Sequence, residues 1–134
     1  AGDHLSTFGG NPVSCAAAVA NIDYIAKEKL SQKAADKGRY LMKRLNEMKE
    51  DYKIIGEVRG KGLIAGVELV KDRKSKTPAA EETVKARDLC REKGVLLGHG
   101  GVKGNVLRIQ PPLVISKPEI DTVLQALDES LKKI

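Results

Sequence analysis

The stretch KIIGEVRGKGLIAGVELVKD, from Lys53 to Asp72, interrupts the helical patterns of the chain. Valine, isoleucine and glycine dominate it, which is typical of β-strands. Gly60 and Gly62 divide its apolar residues into two runs and predict a turn between two strands. The same glycines fit the dinucleotide pattern G-x-G-x-x-(G/A), but that site needs a helix to begin directly after them. Because strand-like residues follow, we interpret both glycines as turn residues.

Two helices are predicted before this stretch. Asn11-Pro12 begins the first, because Asn is a strong N-cap and Pro is favoured at the first helical position. This helix runs from Val13 to Leu30, and its apolar residues lie nearly all around it, so we expect it to pack on more than one side. The second helix, from Ser31 to Asp51, has one apolar stripe. The residues of that stripe are Ala34, Leu41, Leu45 and Met48.

Two more helices are predicted after the stretch. Thr77-Pro78 begins the third helix by the same capping logic, and Gly94 ends it. Ser116 and Glu119 form an S-x-x-E capping box that begins the last helix. The residues that repeat at helical spacing behind this box are Ile120, Leu124, Leu127 and Leu131.

Short strands are predicted in VLLGHGG, residues 95–101, and in GNVLRIQPPLVI, residues 104–115. The order of elements is then helix, helix, strands, helix, strand, strand, helix. This order predicts an α+β fold, with a three- to four-stranded sheet whose helices cover one face.

The composition argues against several classes of function. The 134 residues are 41% apolar and only 3% aromatic, and they carry a net charge of +6. Cations alternate with acids along the predicted helices and lack stacking aromatics beside them, so we predict a solvated basic surface and no nucleic-acid partner. No apolar run approaches ~20 residues, so we predict no membrane span.

The cysteines and histidines suggest no site of their own. Cys15 and Cys90 lie far apart in helical patterns, and we expect both to be small buried residues in a reducing compartment, which favours the cytoplasm. His4 and His99 have no partner at metal-ligand spacing, so no metal site is predicted.

The segment STFGGNP, from Ser6 to Pro12, has the chemistry of an anion site. Ser6 and Thr7 supply hydroxyl donors, and Gly9 and Gly10 allow close approach of backbone amides. The positive end of the first helix lies nearby, and phosphate is the natural ligand of such a junction. The alternative is that the polar side chains merely cap the helix, and the residues alone leave both interpretations open.

Arg108 is the second candidate residue. It lies in VLRIQPP, residues 106–112, where Leu107 and Ile109 alternate with it, so the pattern favours an arginine on the outer, polar face. An arginine there could bind a substrate carboxylate through its two-pronged guanidinium, or it could form an internal ion pair.

Four segments carry the most distinctive sequence: HLSTFGGNPVSCAAA from His4 to Ala18, VRGKGL from Val58 to Leu63, GVLLGHGG from Gly94 to Gly101, and VLRIQPPLVI from Val106 to Ile115. Together, in this order, they resemble class III (ω-amino acid type) pyridoxal-phosphate-dependent aminotransferases, most of all the alanine–glyoxylate aminotransferase 2-like and 4-aminobutyrate aminotransferase branches. The resemblance implies the C-terminal portion of a fold-type I enzyme that depends on pyridoxal 5'-phosphate (PLP). Such an enzyme transfers an amino group from an amino acid to a keto acid.

The resemblance also implies roles for individual residues and a domain division. Ser6 and Thr7 match the pair that binds the PLP phosphate across a homodimer interface, and Arg108 matches the arginine that binds the substrate carboxylate. Residues 1–30 match a loop and helix that join a large cofactor domain, and residues 31–134 match the small C-terminal α+β domain. The Schiff-base lysine of the family lies upstream of these segments, so no residue of this chain matches a catalytic one. We therefore expect no catalysis from this chain alone.

Two alternatives to an aminotransferase stay open at this point. One is a stand-alone binding or interaction module without catalysis. The other, within the same family, is a PLP-dependent phospho-lyase or aminomutase, because the residues that distinguish these activities lie mostly outside the matching segments.

Overall fold

The computed structural model describes residues 6–134 and confirms the α+β class. The helices are α1 Pro12–Lys27, α2 Leu30–Asp51, α3 Ala80–Glu92 and α4 Lys117–Leu131. The strands are β1 Ile55–Lys61, β2 Ile64–Asp72, β3 Thr77–Pro78, β4 Gly98–Gly100 and β5 Val106–Ile109.

The sheet has five strands, one more than the upper end of the predicted range. Four of them run in the order β1-β2-β5-β4, every neighbouring pair is antiparallel, and β3 pairs with β2. The additional strand is Thr77–Pro78, which was predicted to begin a helix. Pro78 pairs with Val70, and the N–H of Ala79 donates to the carbonyl of Leu69 at 3.1 Å. The backbone is held in the sheet at this point, so α3 begins at Ala80 without a side-chain cap.

The turn in the stretch from Lys53 to Asp72 is confirmed. β1 and β2 form a hairpin whose two loop residues are Gly62 and Leu63, and Gly62 has a left-handed φ of 57° that glycine adopts without strain. A strand follows the glycines as far as Asp72, so the helix that a dinucleotide site requires does not form here.

The core lies on one face of the sheet. Ala65, Val67 and Leu69 alternate along β2 and point toward the helices, where they are buried with Leu41 and Leu45 of α2. α2 and α3 contact the sheet, and α4 packs on α2 and α3. The predicted apolar stripes of α2 and α4 are both buried. The opposite face of the sheet is left without a helix among the described residues and is the surface that carries Arg108.

The capping predictions for the C-terminus of α3 and for the N-terminus of α4 are also confirmed. Gly94 follows the end of α3 with a φ of 78°, and its N–H donates to the carbonyl of Arg91 at 2.9 Å. At α4, the Ser116 N–H donates to Glu119 Oε2 at 2.7 Å, and the Glu119 N–H donates to the Ser116 hydroxyl at 3.4 Å. This reciprocal pair is the capping box.

α1 differs from the other helices because none of its residues is buried. Among the described elements it contacts only α2. Val13, Val19 and Ile22 are exposed by 79%, 57% and 63%. Cys15 is likewise exposed, which corrects the prediction that both cysteines are buried, whereas Cys90 is buried as expected. No helix within residues 6–134 is both long and apolar enough to cross a membrane.

Candidate functional site

The loop before α1 contains one capping residue, Asn11, and two hydroxyl side chains, those of Ser6 and Thr7, that have no partner within residues 6–134. Asn11 Oδ1 accepts hydrogen bonds from the N–H groups of Val13 at 3.0 Å and Ser14 at 3.1 Å, so Asn11 is the cap. Ser6 and Thr7 are exposed, and their side chains make no hydrogen bond to any residue in the described part of the chain. Within residues 6–134, capping is therefore the role of Asn11 and not of Ser6 or Thr7.

The two glycines of this loop shape it differently. A Cβ on Gly9 would lie 2.9 Å from Ser6 Cβ and 3.1 Å from Ser6 Oγ, so glycine lets the Ser6 hydroxyl fold over the backbone. Gly10 has a φ of 78° and open space around it. The loop from Ser6 to Asn11 contains no lysine or arginine, and Asn11 already satisfies two amides of the helix start. The loop from Ser6 to Asn11 therefore presents two hydroxyl groups and no cationic side chain.

Arg108 lies on the outer face of β5, as the alternation predicted. Leu107 and Ile109 are buried on the helix side, and Arg108 between them is exposed. Its guanidinium forms no ion pair and no hydrogen bond with any of residues 6–134, so the alternative of an internal ion pair within this part of the chain is wrong. An unpaired guanidinium offers the geometry that a carboxylate binds in bidentate fashion.

A second arginine lies in the same row across the sheet. Gly66 of β2 pairs with Arg59 on one side and with Arg108 on the other. Arg59 Nη1 binds Glu57 Oε2 at 2.8 Å and also binds Glu68. The hydrogen bond that Arg59 donates to the Glu68 carboxylate raises the pKa of Arg59 above its ordinary value. Of these two guanidinium groups, only that of Arg108 has no carboxylate partner among residues 6–134.

Sequence reasoning missed Lys37, which holds the segment that follows β5, and Gly98, which lies beside Arg108. Gly98 of β4 pairs with it, and the Arg108 side chain lies over this glycine, with Nε at 2.9 Å from where a Cβ would be. Lys37 of α2 donates to the carbonyl of Leu113 at 3.0 Å and to that of Ile115, and so holds the segment that follows β5. The alternating glycines of GHGG, residues 98–101, indicate a role for Gly98 only when the pairing of β4 with β5 is known.

The remaining candidates form no further site. His99 is exposed, and its Nε2 lies 2.7 Å from the carbonyl oxygen of Gly104. No group of three or more His, Cys, Asp or Glu side chains within residues 6–134 could hold a metal ion. His4 lies outside the described residues. The helix that follows Ser6 and Thr7, α1, contacts only α2 among the described elements, and α2 covers the face of the sheet opposite to Arg108.

The chain belongs to the class III aminotransferase family, because the model of "Aminotransferase class-III" matches residues 1–131. The chain is 50% identical over 131 residues to "alanine–glyoxylate aminotransferase 2 homolog 2, mitochondrial" of Arabidopsis thaliana, a match that covers 98% of this chain and 28% of that relative. It is 45% identical to a "leucine/methionine racemase" of Thermococcus litoralis, over 98% of this chain and 29% of the relative. The chain thus spans less than a third of the length of these curated relatives.

Solved structures agree with the family and with the fold. A Bacillus anthracis aminotransferase superposes with a TM-score of 0.92 and 37% identity, over 98% of this chain and 30% of that one. An amine transaminase from an uncultivated Pseudomonas species, described as PLP-bound, superposes with a TM-score of 0.88 and 34% identity, over 98% of this chain and 30% of that one. The resemblance that the four segments suggested is confirmed, and the enzymes of this family are PLP-dependent.

Proposed function

We propose that this chain is the C-terminal part of a PLP-dependent aminotransferase that transfers an amino group from an amino acid to a keto acid. The observation that carries the proposal is the free, exposed guanidinium of Arg108 on a sheet face without a helix, in a chain of the class III family. Both substrates of transamination carry a carboxylate, and one arginine can serve both half-reactions.

Each candidate residue has a role in this proposal. Arg108 binds and orients the substrate carboxylate through two parallel hydrogen bonds. Ser6 and Thr7 donate hydroxyl hydrogen bonds to the cofactor phosphate, a role that fits their exposure and their lack of a hydrogen-bond partner among residues 6–134. PLP, when bound, supplies the electron sink for the carbanion chemistry. The lysine that binds it is proposed to lie upstream, so this chain alone is inactive.

The proposed domain division and homodimer are supported by the surface of α1. Residues 1–30 would join the large cofactor domain, and residues 31–134 would form the small domain. Val19 and Ile22 leave apolar area exposed that a larger protein would cover. The loop at Ser6 lacks a cation of its own, which suits a phosphate site completed by a second subunit. We further propose a cytoplasmic location, for which the unpaired cysteines are the supporting observation.

Arg108→Ala in the full-length enzyme tests the substrate role. The assay uses whichever keto acid the parent enzyme turns over fastest among pyruvate, glyoxylate and 2-oxoglutarate. Loss of a bidentate, charge-assisted contact should raise its KM about 10- to 100-fold, since such bonds contribute about 1.5–3 kcal/mol. Cofactor content should not change. Arg39→Ala, which removes an exposed arginine paired with Asp36 on α2, is the matched control. An unchanged KM in Arg108→Ala would contradict the role of Arg108.

Thr7→Ala tests the cofactor role. We expect PLP to be lost more readily on exhaustive dialysis, because one donor to its phosphate is missing, while the KM for the keto acid stays near that of the parent enzyme. Thr122→Ala, at an exposed threonine on α4, is the control. Full PLP occupancy of Thr7→Ala after dialysis would count against the assignment.

A second candidate function is amino acid racemisation, favoured by the 45% identity to a protein named as a racemase. The two activities differ in their need for an acceptor, because racemisation consumes no keto acid. Loss of optical rotation of L-leucine or L-methionine with no keto acid present would support the racemase. Conversion that requires an added keto acid would support the aminotransferase.

A further inference from the structure

Neither the backbone conformation nor the packing of the core explains why residue 98 is a glycine. Its φ lies outside the left-handed region, so the strand geometry would accept an alanine. It lies on the outer face of β4, away from the buried core. The space that its missing side chain leaves is therefore used by something else.

That space is filled by Arg108. A Cβ on Gly98 would lie 2.9 Å from Arg108 Nε, 3.3 Å from Nη2 and 3.2 Å from Cβ. The Cβ of Arg108 is fixed by the pairing of β4 with β5, whereas the guanidinium is the end of a flexible side chain. A methyl group at position 98 would thus require the two strands to adjust by only a few tenths of an ångström, whereas the flexible guanidinium would have to move away.

The other neighbour of Arg108 does not hold its side chain. The atoms nearest to a Cβ on Gly66 belong to Val106 and Arg59, at 3.3 to 4.0 Å. The guanidinium of Arg108 therefore leans toward β4 and away from the Arg59 side chain, which is bound to Glu57 and Glu68. This orientation keeps the free guanidinium apart from two carboxylates that would otherwise compete with a substrate for it.

We propose that Gly98 is a positioning residue: it receives the Arg108 guanidinium on the bare backbone of β4 and so fixes where the substrate carboxylate binds. The inference rests on the proposed role of Arg108 and adds the residue that determines its position. A bidentate pair requires both the place and the plane of the guanidinium, so a displacement of about 1 Å weakens it strongly.

Gly100 provides a matched control. It lies on the same strand, two residues from Gly98 and therefore on the same face, and a Cβ there would meet no atom within 4 Å. Its φ is also outside the left-handed region. Alanine at either position makes the same chemical change, but only at Gly98 does it meet the guanidinium.

The experiment compares Gly98→Ala, Gly100→Ala, Arg108→Ala and the double variant Gly98→Ala/Arg108→Ala in the full-length enzyme. The measurements are KM and kcat for the best keto acid, the inhibition constant of propionate, PLP content and Tm. We expect Gly98→Ala to raise KM and the inhibition constant about tenfold, with PLP content and Tm unchanged. Gly100→Ala should stay within twofold of the parent, and the double variant should resemble Arg108→Ala, because the added methyl group then meets no guanidinium.

The other outcomes contradict either the positioning role of Gly98 or the proposed function. If Arg108→Ala raises KM but Gly98→Ala stays within twofold, the positioning role is wrong and the proposed function stands. If Arg108→Ala leaves KM unchanged, or no keto acid is turned over, the proposed function fails and this inference fails with it. A double variant whose KM exceeds that of Arg108→Ala by the full factor seen in Gly98→Ala, or a loss that comes with lost PLP or a lowered Tm, would make Gly98 a merely structural residue. If Gly98→Ala does not fold, recovery of folding in the double variant supports the contact with Arg108, and failure of both variants refutes it.

Discussion

α1 and α2 are consecutive helices that differ in how their apolar content relates to their burial. α1 is the more apolar of the two, yet none of its residues is buried. α2 is rich in charged residues, yet it buries a continuous stripe that includes Leu41 and Leu45. Burial therefore does not follow from the amount of apolar sequence in a helix. It follows from the presence of a packing partner opposite each apolar position.

The two patterns carry different information. A single stripe, as in α2, predicts one partner, and the sheet supplies it within this chain. Apolar residues all around a helix, as in α1, predict several partners, and the described chain supplies only α2. Most of the surface of α1 therefore makes no contact within residues 6–134. We expect three measurements on the 134-residue chain to test the comparison of α1 with α2.

The largest expected difference is in thiol reactivity. Cys15 on α1 is exposed, whereas Cys90 on α3 is buried, and burial raises the pKa of the Cys90 thiol and so lowers its fraction of reactive thiolate. With iodoacetamide, Cys15 should react at least about a thousandfold faster, because Cys90 reacts only when the fold opens. Mass spectrometry of labelled peptides measures both rates, and both cysteines should react alike in urea.

Equal labelling of the two cysteines in the folded chain would show that the body around Cys90 opens readily and would contradict the comparison. The same labelling of the full-length enzyme tests whether the surface of α1 is covered there. If the proposed large domain covers α1, Cys15 becomes slow there as well.

The next largest difference is in stability. Leu45→Ala removes a fully buried side chain and should lower the free energy of unfolding by about 2–5 kcal/mol. Ile22→Ala on α1 removes an exposed one and should change it by less than about 0.5 kcal/mol, since alanine is also the better helix former. Urea unfolding followed by circular dichroism measures both. A loss above about 1 kcal/mol in Ile22→Ala would mean that α1 is packed in the isolated chain.

Much of the fold could be predicted because local chemistry and tertiary structure agree. The stripes of α2 and α4, the capping box at Ser116 and the hairpin at Gly62 are all specified within a few residues of sequence. The prediction failed at Thr77–Pro78, where a capping pattern competes with strand pairing. The partner in that pairing, Val70, lies eight residues away, and a reading of local caps does not detect it.

The candidate site was predictable only in part, for a similar reason. The outward direction of Arg108 follows from alternation within one strand. That its guanidinium has no partner within residues 6–134 depends on three other strands, because Arg59 binds both nearby glutamates and Gly98 leaves room for the guanidinium. Those relations follow from strand order and register, and sequence patterns define neither for strands so far apart in the chain.

The smallest expected effect concerns a contact that the sequence did not reveal. Gly38 lies in the middle of α2, where glycine is ordinarily unfavourable, and a Cβ there would overlap the carbonyl group of Gly62 in the β1–β2 hairpin. Gly38→Ala gains about 1 kcal/mol of helix propensity but forces α2 away from the hairpin, which should cost about 1–3 kcal/mol. We therefore expect a net loss of up to about 2 kcal/mol in urea unfolding.

Gly100→Ala is the control for Gly38→Ala, because nothing lies within 4 Å of its added methyl group, and it should leave stability within about 0.5 kcal/mol. A stabilised Gly38→Ala would mean that α2 and the hairpin separate at little cost. The closeness of that contact is what distinguishes α2 from α1: the backbone of α2 meets the backbone of its partner. Buried packing of this kind requires a glycine where an isolated helix would favour alanine, whereas the surface of α1 imposes no such requirement within this chain.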